Sequence, residues 1–327
     1  MCNDCGGVEH NDDNEDCECR ECERARNRAR RAAASAPPAP PAPPRRRYAA
    51  PADYTFARTR SARQFGIELE TSDCEGYDEL PDGCAFRAET DGSIDGKEFV
   101  SAVLKGDQGL DAITEFCSFA NRNDWSVDAK CGFHAHFDVG DLNDDQRKAV
   151  AIAYNLTYNV WRTFVSKARR ENEYSGPNDW TADDIRDASS FDAFSAKFTC
   201  NSYSRGEHDR YQWFNLAAYR EHSTFESRIH SATLNGSKVR NWVLANIRFI
   251  DAVAEMTVDE VYAKFAGNDE QSNFAALAEI WNDSELTEFY AGRAAKFGTY
   301  YTQAAGAELA AADCEYAQEL AARPDSE

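Results

Sequence analysis

The chain has 327 residues, a formal net charge of −21 and 42% hydrophobic residues, enough apolar material for the core of one large or two ordinary domains. Residues 1 to 47 carry 9 basic and 9 acidic side chains, so the negative excess sits on residues 48 to 327 and argues against general nucleic-acid binding by that body. No apolar run approaches the ~18 residues of a membrane span and no apolar signal segment opens the chain, which predicts a soluble, cytoplasmic protein that does not engage a membrane.

The N-terminal stretch concentrates cysteine: five of the eleven fall in the first 22 residues. Cys2 with Cys5 and Cys19 with Cys22 form two C-x2-C knuckles, the usual way to place four thiolates tetrahedrally around Zn2+. A cytoplasmic setting favours metal over disulfides. Six of the ten prolines then crowd between Pro37 and Pro44, as in a semi-rigid spacer. The expected organisation is a Cys-rich module over residues 1–32 that could contact a protein partner, a Pro/Ala/Arg-rich linker over 33–52, and a catalytic body over 53–327. The body's acidity, with 27 Arg against 9 Lys, fits a protein kept hydrated in concentrated salt, where screening relieves self-repulsion.

Three segments of the body alternate with a period of two. From Gln64 to Glu70, Phe65, Ile67 and Leu69 point one way while Glu68 and Glu70 point the other. Residues two apart in a strand stand about 6.6 Å from each other, so the two carboxylates can serve neighbouring metal ions but cannot share a proton. From Cys131 to Val139, His134, His136 and Asp138 share the face opposite Phe133, Ala135 and Phe137. In a chain with six histidines, a same-face pair beside an acid reads as a ligand set. From His222 to His230, Thr224, Glu226, Arg228 and His230 fall on one side, with Phe225 and Ile229 on the other. Polar faces on three strands suggest a curved sheet whose concave side is a charged site.

Helices are expected elsewhere. Asn143 with Gln146 is a plausible capping pair ahead of an apolar stripe from Val150 to Val165. Ser237 to Met256 reads as an amphipathic helix with Val239, Trp242, Val243, Asn246, Phe249, Ile250 and Val253 along one side. Residues 257 to 321 look mostly helical, with no evident chemistry. Strands followed by helices place the chain in the α+β class.

Taken in order, E-x-E (Glu68, Glu70), D-G-S with E-F-V-S (Asp91, Glu98), C-G-F-H-A-H (His134, His136), R-Y-x-x-x-N (Arg210, Asn215), T-F-E-S-R (Glu226, Arg228) and T-L-N (Asn235) resemble the amidoligase family of carboxylate-amine ligases, distant relatives of glutamine synthetase and glutamate-cysteine ligase. The resemblance spans residues 64 to about 253. It implies a cup-shaped, mainly antiparallel sheet with ATP at one end and Mg2+ or Mn2+ on the concave face. One metal would be shared by Glu68, His134 and Glu226, and another by Glu70, Glu98 and either Glu89 or Asp91. The same matching sets Arg228 against the transferred phosphoryl group, and His136, Arg210 and Asn215 at the nucleotide. Such an enzyme would join small-molecule or peptide carboxylates and amines through an acyl phosphate. Viruses and phages often carry members of this family, which with the acidic composition points to the host cytoplasm of a virus-infected halophile. Two competing readings are a phosphotransferase of the same fold and a non-catalytic scaffold whose Cys-rich module does the work. A cupin-like centre is disfavoured, because Val139 and Gly140 stand where it would need a Glu.

Overall fold

The computed structural model describes residues 61–77, 80–90, 92, 94–198 and 210–301. Cys2, Cys5, Cys19, Cys22 and Asp91, with the expected module and linker, lie outside the described residues.

The described residues form seven strands, in chain order: β1 (Gln64–Glu70), β2 (Phe86–Glu89), β3 (Glu98–Ser101), β4 (Leu104–Lys105), β5 (Gly132–Asp138), β6 (Phe214–Asn215) and β7 (Thr224–Ser231). The alternation read from the sequence sets their faces. Phe65, Ile67 and Leu69 of β1, Phe133, Ala135 and Phe137 of β5, and Phe225 and Ile229 of β7 are all buried. A one-residue slip would throw these side chains to the opposite face. Each buried Phe or Ile contributes about 1.5–3 kcal/mol against that slip.

The strands join in the order β2-β3-β1-β5-β7-β6, with β4 paired to the start of β1, and every ladder is antiparallel. The curved, cup-like sheet with a concave site expected from the resemblance is not formed. The path of strands runs from β2 to β6 without closing, and the sheet is not strongly curled. Strand length supplies the physical reason. Two strands have four residues and two have only two, so twist accumulates over too short a span to roll the sheet.

Ten helices are described: α1 (Gly106–Arg122), α2 (Asp144–Trp161), α3 (Lys167–Arg170), α4 (Ala182–Asp187), α5 (Phe191–Ser195), α6 (Ala217–His222), α7 (Gly236–Val253), α8 (Val258–Phe265), α9 (Glu270–Trp281) and α10 (Ser284–Lys296). The capping pair forms as expected. Gln146 N donates to Asn143 Oδ1 at 3.0 Å and Asn143 N donates to Gln146 Oε1 at 2.9 Å. Asn235 of the T-L-N motif caps α7, its Oδ1 accepting from Lys238 N at 3.1 Å. The α7 stripe from Val239 to Val253 is buried as the spacing requires.

Helices α1, α2 and α7 cover the apolar side of the sheet. Phe116 of α1 packs on Phe86 and Phe99, with ring centroids at 4.0 and 5.2 Å. Gly109 lets α1 sit close, since a Cβ there would come within 2.9 Å of Leu104 Cβ and 3.0 Å of Phe65 Cζ. Tyr154 of α2 stacks on Phe214 at 4.1 Å and donates to Asn246 Oδ1 of α7 at 2.8 Å. The polar side of the central strands is thereby left for chemistry. Among the described residues no helix is long and apolar enough to cross a membrane.

Candidate metal centre

Strand pairing assembles the site. Strands β3, β1, β5 and β7 are neighbours, and the register sets Glu68 beside His134, Glu70 beside Glu98, and His136 beside Glu226. Four strands thus bring Glu98, Glu68, both histidines and Glu226 together. Two groups could each hold a metal ion: Glu68, Glu98 and His134, and Glu68, His136 and Glu226, with one ligand atom per residue and all within 4.8 Å of one another.

Glu68 belongs to both groups. Its Oε2 lies 3.0 Å from His134 Nδ1, and its Oε1 lies 3.4 Å from His136 Nε2. Glu226 Oε1 stands 3.8 Å from each of the same two nitrogens. Glu68, His134 and Glu226, the set the resemblance implies for one metal, are thus neighbours, and two further residues join them. His136 also stands with Glu68 and Glu226, and Glu98 stands with Glu68 and His134.

Glu70 occupies a different position, behind His134. Its Oε2 accepts from Gly132 N at 2.6 Å, and its Oε1 is 4.0 Å from His134 Nε2. His134 thus presents Nδ1 to Glu68 and turns Nε2 toward a carboxylate, the arrangement by which metal-binding histidines are commonly oriented. Gly132 makes room for this ring: a Cβ there would be 2.9 Å from His134 Nε2 and 3.5 Å from Glu70 Oε2. Thr224 similarly orients His136, its Oγ1 lying 3.1 Å from Nδ1.

A β-bulge separates the two ends of β7. Ala135 pairs with Ser227 but Phe133 pairs with His230, so Arg228 and Ile229 together oppose His134. The extra residue moves His230 off the polar face, contrary to strict alternation. Its ring meets Phe133 at 5.4 Å and Trp242 of α7 at 4.9 Å. Arg228 stays beside the carboxylates, donating from Nη1 to Glu226 Oε1 and from Nε to the Tyr174 carbonyl. Asn215 holds the other oxygen of Glu226, donating from Nδ2 to Oε2 at 2.6 Å.

Electrostatics follow from this packing. Burial alone would raise the Glu68 carboxyl, but hydrogen bonds and charge from His134 and His136 hold it well below the usual carboxylate range. Burial likewise pushes Glu226 up, and Arg228 with the two histidines outweighs it, leaving the net shift downward. Burial pulls His136 down, yet Glu226 and Glu68 raise it overall. Its Nε2 is buried and faces Glu68 Oε1 at 3.4 Å and Glu226 Oε1 at 3.8 Å, so the ring points into the cluster.

Other expected residues stand elsewhere. Arg210 stacks on Tyr211 and donates to its hydroxyl at 3.1 Å; among the described residues none of its hydrogen bonds or ion pairs reaches the cluster. Glu89 lies opposite Glu98 but is exposed and paired with Arg87 at 2.6 Å. One residue at the site lies outside every motif read from the sequence. Arg169 sits in a K-A-R-R run that reads as a solvated basic turn, yet it is buried against β7. Gly132 belongs to the C-G-F-H-A-H motif, but the room it leaves for His134 shows only in the packing.

The family described as "Putative amidoligase enzyme" matches residues 82–250, a stretch that contains Glu98, both histidines, Glu226 and Arg228 and begins after β1. No curated protein matches. Among solved structures, the chain is similar to a bifunctional glutathione synthetase from Pasteurella multocida, at 12% identity and a TM-score of 0.40. That match covers 73% of this chain and 47% of the synthetase, so the chain spans about half the length of that protein.

Proposed function

This chain belongs to the amidoligase family, and on that premise we propose that it forms amide bonds between a carboxylate and an amine at the expense of ATP, assisted by two divalent cations. The observation that carries the proposal is the convergence of Glu68, Glu98, His134, His136 and Glu226 beside Arg228. The donor set fits Mg2+ or Mn2+, because each group offers two hard carboxylates and a single imidazole. The buried Nε2 of His136, which faces both Glu68 and Glu226, fits the same reading. Bound there, divalent cations would neutralise the phosphate oxygens of ATP and of the acyl phosphate.

The chain's own residues then have distinct tasks. Glu68, common to both groups, would help to hold either cation. Asn215 and Thr224 fix the orientations of Glu226 and His136. Arg228 supplies a planar donor fork beside Glu226, placed to follow charge onto the migrating phosphoryl oxygens. An ion pair with Glu226 alone would be its purely structural role. The Cys-rich module is assigned Zn2+ by Cys2, Cys5, Cys19 and Cys22, with no part in catalysis.

The test is ADP release screened over pairs of carboxylates and amines with Mg2+ or Mn2+. Amide product requiring both substrates supports the ligase. A stable phosphorylated amine would show a phosphotransferase instead, and absence of ATP binding and turnover across salt, metal and substrate would leave only the scaffold. Removal of residues 1–47 should cost the protein one Zn2+ and leave turnover intact. Loss of turnover on that truncation would make the module part of the catalytic unit.

A further inference from the structure

Arg169 has no part in the motifs that carry the family resemblance. It lies on α3, 3% exposed, with no carboxylate within ion-pair distance among the described residues. Burial draws its pKa down to about 10, with Glu70 the largest opposing influence. A buried cation without a contacting acid is expensive, and apolar residues of similar size usually serve stability as well or better. Stability alone therefore gives little reason for an arginine here.

Its hydrogen bonds supply a reason. Arg169 Nη2 donates to the Arg228 carbonyl at 2.7 Å, and Nε reaches the Ile229 carbonyl at 3.5 Å. These two residues are the bulged pair of β7. A bulge interrupts the ladder and leaves backbone groups to be satisfied from outside the sheet. The same Nη2 abuts Gly132, where a Cβ would lie 3.4 Å from it and 2.9 Å from His134 Nε2. The turn after α3 is tied down in its own right, with Ser175 Oγ donating to the Arg169 carbonyl at 3.3 Å and Tyr174 accepting from Arg228 Nε.

We propose that Arg169 is a positioning residue for the ligase reaction, clamping the β7 bulge so that Arg228 faces the carboxylate cluster. The proposal rests on the function assigned above. Without the clamp the bulge can relax, and relaxation moves Arg228 before it moves β1 or the Glu68–His134 contact.

The test pairs Arg169→Lys with Arg228→Lys. Lysine keeps the charge but loses the fork that spans two adjacent carbonyls. In the full-length protein, Arg169→Lys should lower kcat at least about tenfold with KM for ATP within about twofold, and the same change in the Arg228→Lys background should cost less than about twofold. Such non-additivity marks a residue that acts through another. Equal losses in both backgrounds would overturn the proposal. Hydrogen exchange provides a readout that needs no turnover: peptides covering 225–231 should exchange at least about tenfold faster in Arg169→Lys, while those covering 64–70 remain unchanged. Unchanged exchange at 225–231 overturns the clamp. Faster exchange there in a protein whose unmodified form turns over no substrate would retain the clamp and reject the ligase reading.

Discussion

Glu68→Gln should remove both cation positions at once, because Glu68 is the residue common to the two groups. The side chain is 28% exposed and lies between the two histidines, so its charge is only partly screened. A unit charge about 4 Å from another is worth ~4 kcal/mol at an effective dielectric of ~20, and twice that, about 8 kcal/mol, toward a dication. Glutamine retains a carbonyl oxygen and avoids the cost of desolvating a carboxylate, which offsets much of that figure. A loss of about 3 kcal/mol per site remains, roughly a hundredfold in affinity. Mn2+ titration followed by electron paramagnetic resonance counts bound ions directly. The unmodified protein should bind two, Glu68→Gln none at concentrations that saturate it, and Glu98→Gln or Glu226→Gln one each. A Glu68→Gln protein that still binds two ions, or loses only one, would refute this shared role.

Arg228→Lys should lower turnover at least about tenfold, or ~1.4 kcal/mol, with ATP affinity nearly unchanged, because the fork matters most as charge moves onto the phosphoryl oxygens; equal loss of binding and turnover would contradict this. Gly132→Ala should weaken Mn2+ at the Glu68–Glu98–His134 position and destabilise the fold by about 1–3 kcal/mol, since the new methyl meets His134 Nε2 at 2.9 Å. Unaltered Mn2+ stoichiometry and affinity in that variant would show that His134 does not need the space. His230 is buried against Phe133 and Trp242, and burial holds its pKa well below the ordinary value. The unfolded chain therefore binds a proton that the folded chain refuses. Its contribution is present above pH ~6.5 and falls by up to ~1.4 kcal/mol per unit as pH drops toward the folded value. Denaturation midpoints measured from pH 7.5 to 5 should lose this slope in His230→Phe, and an unchanged slope would assign acid sensitivity elsewhere.

Much of the site was legible locally. Side chains in a strand alternate with a period of two, so the sequence alone could assign Glu68 and Glu70, His134 and His136, and Glu226 and Arg228 to polar faces opposite Phe65, Phe133 and Phe225. Capping chemistry is equally local, and Asn143 with Gln146 announced the start of α2. Which of these acids and histidines come together was not legible. That depends on register between strands far apart in the chain, and pairing β3, β1, β5 and β7 side by side put Glu98 with His134 and His136 with Glu226. The sheet's overall shape was likewise undetermined, because curl depends on the length of every strand and on closure at its edges. The bulge was decisive at the smallest scale. One extra residue in β7 kept Arg228 at the cluster and turned His230 into the core, and it created the carbonyls that Arg169 reaches from a helix some 60 residues earlier in the chain. Periodicity is a property of one strand, whereas a bulge is a mismatch between two, so only the tertiary structure could reveal it.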